Sequence, residues 1–148
     1  MSKIERLKAT PASYVIIKKD NQILMHLRKN SGYMDGFYSL VAGHVEPEEG
    51  PTECMIREAK EEANIIVTKD NLKLVHTLYR PQKEDERVDF FYLCEEWKGE
   101  IQNLETHKCD DLSYFDIDKL PKNTVPYIKY VIEKVLNGIT FSEYFLNQ

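Results

Sequence analysis

Between Gly43 and Ile65 the chain reads GHVEPEEGPTECMIREAKEEANI, and no other stretch narrows so far what it can become. Pro51 suits a first helical position, where its missing N–H costs nothing. Thr52, Met55, Ile56, Ala59 and Ala63 then recur on one stripe, the pattern of a helix packed on a core. Ala59 and Ala63 are small and let the helix sit close to what it covers. Glu58 and Glu61 are i,i+3 neighbours, and Glu58 and Glu62 are i,i+4 neighbours. Three carboxylates therefore project from one surface, well round from the stripe. Like charges at that spacing destabilise a helix, and a divalent cation bound by all three would turn the fault into a metal site. Asn64 stands where the helix must stop. After Gly, Asn best tolerates the left-handed conformation of a helix end.

Six positions in this stretch (Gly43, Glu49, Arg57, Glu58, Glu61 and Glu62) keep fixed intervals. If each is met by chance about once in fifteen, all six coincide roughly once in 10⁷ starting points. The segment resembles the Nudix box, G-x5-E-x7-R-E-U-x-E-E-x-G-U with U apolar, and Gly43, Glu49, Arg57, Glu58, Ala59, Glu61, Glu62 and Ile65 match it. Asn64 stands where the family usually has Gly, and Leu40-Val41-Ala42-Gly43 replaces the more usual Leu-Pro-Gly-Gly. The resemblance implies an α/β fold, the Nudix-type α/β/α sandwich with a mixed β-sheet. It also implies a metal-dependent pyrophosphohydrolase that cleaves a nucleoside diphosphate linked to another moiety, with Mg²⁺ or Mn²⁺ as cofactor. Glu58 and Glu62 are then the first metal ligands, Glu61 bridges metals or orients water, and the Gly43 carbonyl is a further ligand. Arg57 is read as structural, pairing with Glu49 to fix the loop against the helix. Glu46 is either an outer metal ligand or a plain loop acid.

The expected small-molecule substrates are first (deoxy)nucleoside triphosphates, giving monophosphate and pyrophosphate, and alternatively ADP-ribose or dinucleoside polyphosphates. Rival readings on the same fold are a non-catalytic nucleotide-binding regulator and an isoprenoid diphosphate isomerase. Arg28 closes the second expected strand, where similar proteins often present an Arg to phosphate. Its planar fork of donors suits that task, and a solvated strand-end charge is the competing reading. Tyr33, Phe37 and Tyr38 surround a Gly-bearing loop and either stack on a base or pack in the core. His44, beside Gly43, is either a substrate contact or an ordinary loop histidine. Glu105 opens the acidic run Glu105 to Asp111; similar proteins often supply a general base or metal-reaching carboxylate from this region, and a solvated loop is the simpler account.

The 148 residues are expected to form one domain, and 42% hydrophobic content is enough for a core. A net charge of −5 argues against general nucleic-acid binding, though not against a phosphorylated small molecule, because bound metal reverses the local sign. No membrane-spanning run or signal peptide is visible, and Cys54, Cys94 and Cys109 form no metal pattern. A cytoplasmic monomer or homodimer follows as the expectation. Tyr14 to Ile17 and Ile23 to Leu27 flank the polar turn Lys19 to Gln22 and read as a hairpin. Further strands are expected near Phe37 to Leu40, Leu72 to Leu78 and Val88 to Trp97, with a short apolar segment at Tyr114-Phe115. A second amphipathic helix is expected from Val125 to Asn137, stopped by Gly138.

Overall fold

The run Tyr14-Val15-Ile16-Ile17 is apolar on both sides, and such a strand belongs in the middle of a sheet covered on both faces. The computed structural model, which describes residues 5–146, places it there. Strand β1 (Ala9–Lys19) runs parallel to β6 (Glu86–Cys94) along one edge. Its other edge pairs antiparallel first with β4 (Val41–His44) and then, at Lys18-Lys19, with β2 (Gln22–Arg28). Beyond β6 come β5 (Lys73–Arg80) and the short β8 (Phe141–Glu143); β2 is flanked by β3 (Tyr38–Ser39) and β7 (Cys109–Asp116). The sheet is mixed.

Alternation along β1 sends its side chains to two different cores. Ala12, Tyr14 and Ile16 join Ile128, Val131 and Ile132 of helix α2 (Pro126–Leu136). Val15 and Ile17 join Met55, Ala59 and Ala63 of helix α1 (Pro51–Ala63). Each fully buried Ile or Met contributes roughly 1.5–3 kcal/mol relative to exposure. Helices thus cover both faces, giving the α/β/α sandwich. At the start of α1 the buried Ser13 hydroxyl donates to the Pro51 carbonyl at 2.7 Å, which ties the helix entrance to β1.

Several boundaries differ from the sequence expectation. The strand expected over Phe37 to Leu40 divides into β3 and β4, because the chain changes partner there: Tyr38-Ser39 pairs with β2 and Val41–His44 with β1. The expected 88–97 strand starts at Glu86 and stops at Cys94, and its neighbour runs on to Arg80, because Arg80 still pairs with Arg87 inside the charged connection. Tyr114 and Phe115 lie within β7, which also absorbs Asp110 and Asp111 from the expected acidic loop. α2 begins one residue later than expected and ends at Leu136, with Gly138 following at φ 73°.

After α2 the chain returns as a strap. Thr77 N–H donates to Thr140 O at 2.9 Å and Tyr144 N–H to Tyr79 O at 2.9 Å. The buried His76 lies 2.8 Å from Ile139 O through Nδ1 and 2.6 Å from Ser142 Oγ through Nε2. A carbonyl only accepts, so Nδ1 carries a proton and donates it to Ile139 O. Among the described residues no helix is long and apolar enough to cross a membrane, and the three cysteines are buried and free.

Candidate active site

Helix α1 rests its apolar stripe on β1 and β4 and turns its acidic side to a cleft of about 550 Å³. Gly43 and His44 reach the cleft from β4, Arg57, Glu58, Glu61 and Glu62 from α1, Arg28 from β2, and Glu105 from the segment before β7. Glu46 also lines it. Gly43 is demanded by packing and not by φ: a Cβ there would overlap Cγ, Cδ and Oε1 of Glu58. Its carbonyl accepts from the Cys54 thiol at 3.5 Å.

Arg57 organises the loop between β4 and α1. Nε and Nη2 grip Glu49 through both oxygens, at 2.9 and 3.0 Å, a bidentate pair of the strong kind. Those hydrogen bonds hold the Glu49 carboxyl down at about 2. Nη2 also donates to the His44 carbonyl at 3.3 Å, and Nη1 lies 3.6 Å from Glu46. The same Nη1 reaches Glu58 at 2.6 Å and Glu61 at 3.4 Å.

The three helix glutamates occupy different environments. Glu62 is half-buried and accepts the Ala42 N–H at 3.2 Å. Burial pushes its carboxyl well above the ordinary carboxylate range, with Glu58 and Glu105 adding to the rise. Burial also raises Glu58, against the pull of Arg57. Glu61 is exposed. Among the described residues, no three His, Cys, Asp or Glu side chains converge closely enough to hold a metal ion, so helical spacing alone does not gather the acids. Glu58 instead faces Arg57 and Glu62 faces the Ala42 N–H.

Glu105 reaches the cleft because its segment is fastened to the end of α1. Leu104 N–H donates to Glu62 O and Gln102 N–H to Ala63 O, both at 3.0 Å. Asn64, left-handed at φ 57°, adds a side-chain bond to Glu100 O at 2.9 Å. A Gly at this place would supply the turn but not that bond, which is a physical reason for the departure from the box. Replacing Asn64 by Ala forfeits the hydrogen bond, about 1 kcal/mol, and adds about 1–2 kcal/mol of left-handed strain. Thermal melts are expected to show Asn64→Ala falling several degrees and Asn64→Gly by less than half as much.

Arg28 is aimed at the cleft where the β2–β7 register shifts between Leu27 and Arg28, a bulge of the kind that re-aims side chains. It donates to Tyr33 O at 2.8 Å and Ser31 Oγ at 3.1 Å. Tyr33 does not line the acidic cleft. It is 46% exposed on the next loop and lines a smaller compartment adjoining the cleft. Phe37 and Tyr38 pack against the core, Tyr38 edge-on to Phe115 with its hydroxyl on Asp111. Arg87 Nη1 lies 3.2 Å from His44 Nε2 and can only donate, so the imidazole is neutral; burial and Arg87 both lower its pKa. Sequence reasoning missed His26 and Lys108 in the cleft wall and Arg80, Gln82, Asp85 and Arg87 in the compartment. The charge-rich run between β5 and β6 was the one available signal.

The family model for the NUDIX domain matches residues 8–135. The chain belongs to the NUDIX family. The ADP-ribose pyrophosphatase of Methanocaldococcus jannaschii is 31% identical over 131 residues, covering 85% of this chain and 74% of that protein. The 8-oxo-dGTP diphosphatase of Proteus vulgaris is 30% identical over 98 residues, covering 66% of this chain and 86% of its own. The crystal structure of a MutT NUDIX hydrolase from Burkholderia pseudomallei aligns with a TM-score of 0.79 at 23% identity, over 87% of this chain and 99% of that one. The protein is a NUDIX hydrolase, a pyrophosphohydrolase by class.

NUDIX hydrolases generally use divalent metals, and the carboxylates of the cleft are oxygen donors of the kind such a cation takes, although no three of them are drawn together among the described residues. Five carboxylates line the cleft against Arg28, Arg57 and Lys108, so an anionic diphosphate meets a wall of its own sign unless a cation intervenes. Glu58 and Glu62 offer hard oxygen donors whose desolvated charge a cation would relieve.

Proposed function

We propose that this NUDIX hydrolase cleaves the diphosphate of ADP-ribose-type compounds, a nucleoside diphosphate joined to a sugar. The carrying observation is that one cleft is lined both by the desolvated Glu58 and Glu62 and by Arg28. The likeness to an ADP-ribose pyrophosphatase, which runs over most of both chains, supports this choice of substrate. Glu58, Glu62 and the Gly43 carbonyl would hold Mg²⁺ or Mn²⁺, with Glu61 at the outer edge. When bound, the metal offsets phosphate charge and lowers the pKa of a water. Arg28 clamps a phosphate oxygen with its planar fork. Glu105, or Glu61, takes the proton of the attacking water. Water adds to one phosphorus, the P–O–P bridge breaks, and the leaving phosphate departs as an anion. Arg57 and Glu49 hold the loop that carries Gly43. The buried free thiols support a cytoplasmic setting.

A second reading, hydrolysis of (deoxy)nucleoside triphosphates, is favoured by the likeness to the 8-oxo-dGTP diphosphatase. Incubation with Mg²⁺ and a panel of ADP-ribose, dinucleoside polyphosphates and nucleoside triphosphates separates the two. ADP-ribose is expected to give AMP and ribose 5-phosphate at the highest kcat/KM. Monophosphate and pyrophosphate released faster from a triphosphate would overturn that choice.

A further inference from the structure

Arg28 closes the neck of the β2–β3 loop with its own backbone and then turns its side chain back into that loop. Its N–H donates to Phe37 O at 2.9 Å, and its carbonyl accepts the Gly36 N–H at 2.8 Å. Asn30 Nδ2 donates to His107 O at 3.1 Å and Lys29 N–H to Lys108 O at 3.0 Å, which pins the root of the loop to the segment before β7. Inside the loop, Asp35 accepts the Ser31 and Gly32 N–H groups, both at 3.0 Å, and lies 2.5 Å from the Ser31 hydroxyl. That hydroxyl has one proton, and the carboxylate, closer and charged, takes it in preference to Tyr33 O at 2.9 Å. Ser31 Oγ in turn accepts from Arg28 Nη2 at 3.1 Å, and Tyr33 O accepts from Arg28 Nε at 2.8 Å. The guanidinium carbon also sits 5.5 Å over the centroid of the Tyr33 ring.

This arrangement orients a cation without neutralising it. Arg57, the other guanidinium of the cleft, is answered by Glu46, Glu49, Glu58 and Glu61. Among the described residues Arg28 forms no ion pair, and its Nη1 has no hydrogen-bond partner. The Ser31 hydroxyl, with the Ser31 and Gly32 N–H groups, holds the Asp35 carboxyl below the ordinary range, so it stays charged at neutral pH. A carboxylate bonded directly to Arg28 would compete with phosphate for the same donors. Set one hydroxyl away, it helps to fix Nη2 and leaves Nη1 for a ligand.

We propose that Asp35 is a positioning residue for diphosphate binding, acting through the Ser31 hydroxyl to hold Arg28 in the cleft. Asp35 does not line the cleft itself, whereas Ser31 and Arg28 do. An arginine side chain has many rotamers, and settling one in advance removes an ordering cost that would otherwise fall on binding. This role rests on the reading of Arg28 as the phosphate clamp.

The test is calorimetric titration with inorganic pyrophosphate and Mg²⁺ of the wild type, Asp35→Ala, Asp35→Asn, Ser31→Ala, Arg28→Ala and the Asp35→Ala/Arg28→Ala double variant. Asp35→Ala and Ser31→Ala are each expected to weaken pyrophosphate about five- to tenfold. Ser31→Ala keeps both N–H bonds to Asp35, so its melting temperature should match the wild type and its weaker binding is no effect of unfolding. Asp35→Asn retains an oxygen for the hydroxyl and should recover part of the affinity lost in Asp35→Ala. Arg28→Ala should weaken binding further, and Asp35→Ala should add less than about twofold in that background. With ADP-ribose as substrate, Asp35→Ala should raise KM by a larger factor than it lowers kcat. Full additivity of Asp35→Ala and Arg28→Ala, or unchanged affinity in Ser31→Ala, overturns the positioning role while Arg28 keeps its own. Unchanged affinity in Arg28→Ala overturns both. Pyrophosphate binding needs no turnover, so an uncleaved ADP-ribose rejects the proposed hydrolysis and leaves the role of Asp35 to stand on the titrations.

Discussion

Glu62→Gln is expected to lower kcat by about 10²–10³-fold while leaving the fold intact. Gln keeps an oxygen for the Ala42 N–H, so the one hydrogen bond that places the side chain survives. What disappears is the charge. In the folded protein the Glu62 carboxyl is raised by burial and by Glu58 and Glu105, so ionising it costs more than in the unfolded chain. Without metal, the wild type should therefore lose stability as pH rises from the ordinary carboxylate range through the raised one. Gln has no proton to lose and removes that slope, so metal-free E62Q should melt at or above the wild-type temperature at neutral pH. Mg²⁺ should raise the wild-type melting temperature more than that of the variant. An unaltered kcat in saturating Mg²⁺ would take Glu62 out of the site.

Gly43→Ala is expected to cost about 10²-fold in kcat, the scale of an ångström-sized misplacement of a catalytic group. Gly43 lies in a regular strand pairing with Ser13 and is not among the positive-φ glycines, so alanine keeps the backbone. The added methyl instead occupies the space of the Glu58 side chain. That side chain is flexible and can swing away, which limits the stability cost to about 1–3 kcal/mol. Swinging away also removes a proposed ligand from its place. If the loss acts through Glu58, Gly43→Ala should add little in a Glu58→Ala background, and a double-mutant cycle measures that directly. Additive losses would show that Gly43 acts by another route.

Features encoded locally were legible. Helix α1 begins at Pro51 and yields to a left-handed Asn64, because a ring-locked φ, a 3.6-residue apolar stripe and a tolerant amide act within a few residues. The runs Tyr14 to Ile17 and Ile23 to Leu27 were legible as a hairpin because the polar turn lies between them, although β1 and β2 pair only at Lys18-Lys19. Features set by partner choice were not. The break at Leu40 arises because neighbouring segments pair with different strands, and β8, with three residues and no apolar alternation, is held by β5 and His76. Spacing named the acids but not their orientations: Glu62 turns to a β4 amide and Glu58 to Arg57. The compartment draws on β1, the β2–β3 loop, the β5–β6 loop and α2, and no spacing rule joins segments that distant.

The returning strap has a practical corollary. Tyr144 lies beyond the last residue of the family match, and its ring rests 6.5 Å from that of Tyr127, the same ring that supports Arg80. Loosening the strap at Tyr144 therefore unsettles, through one intervening ring, the packing over the buried Arg80.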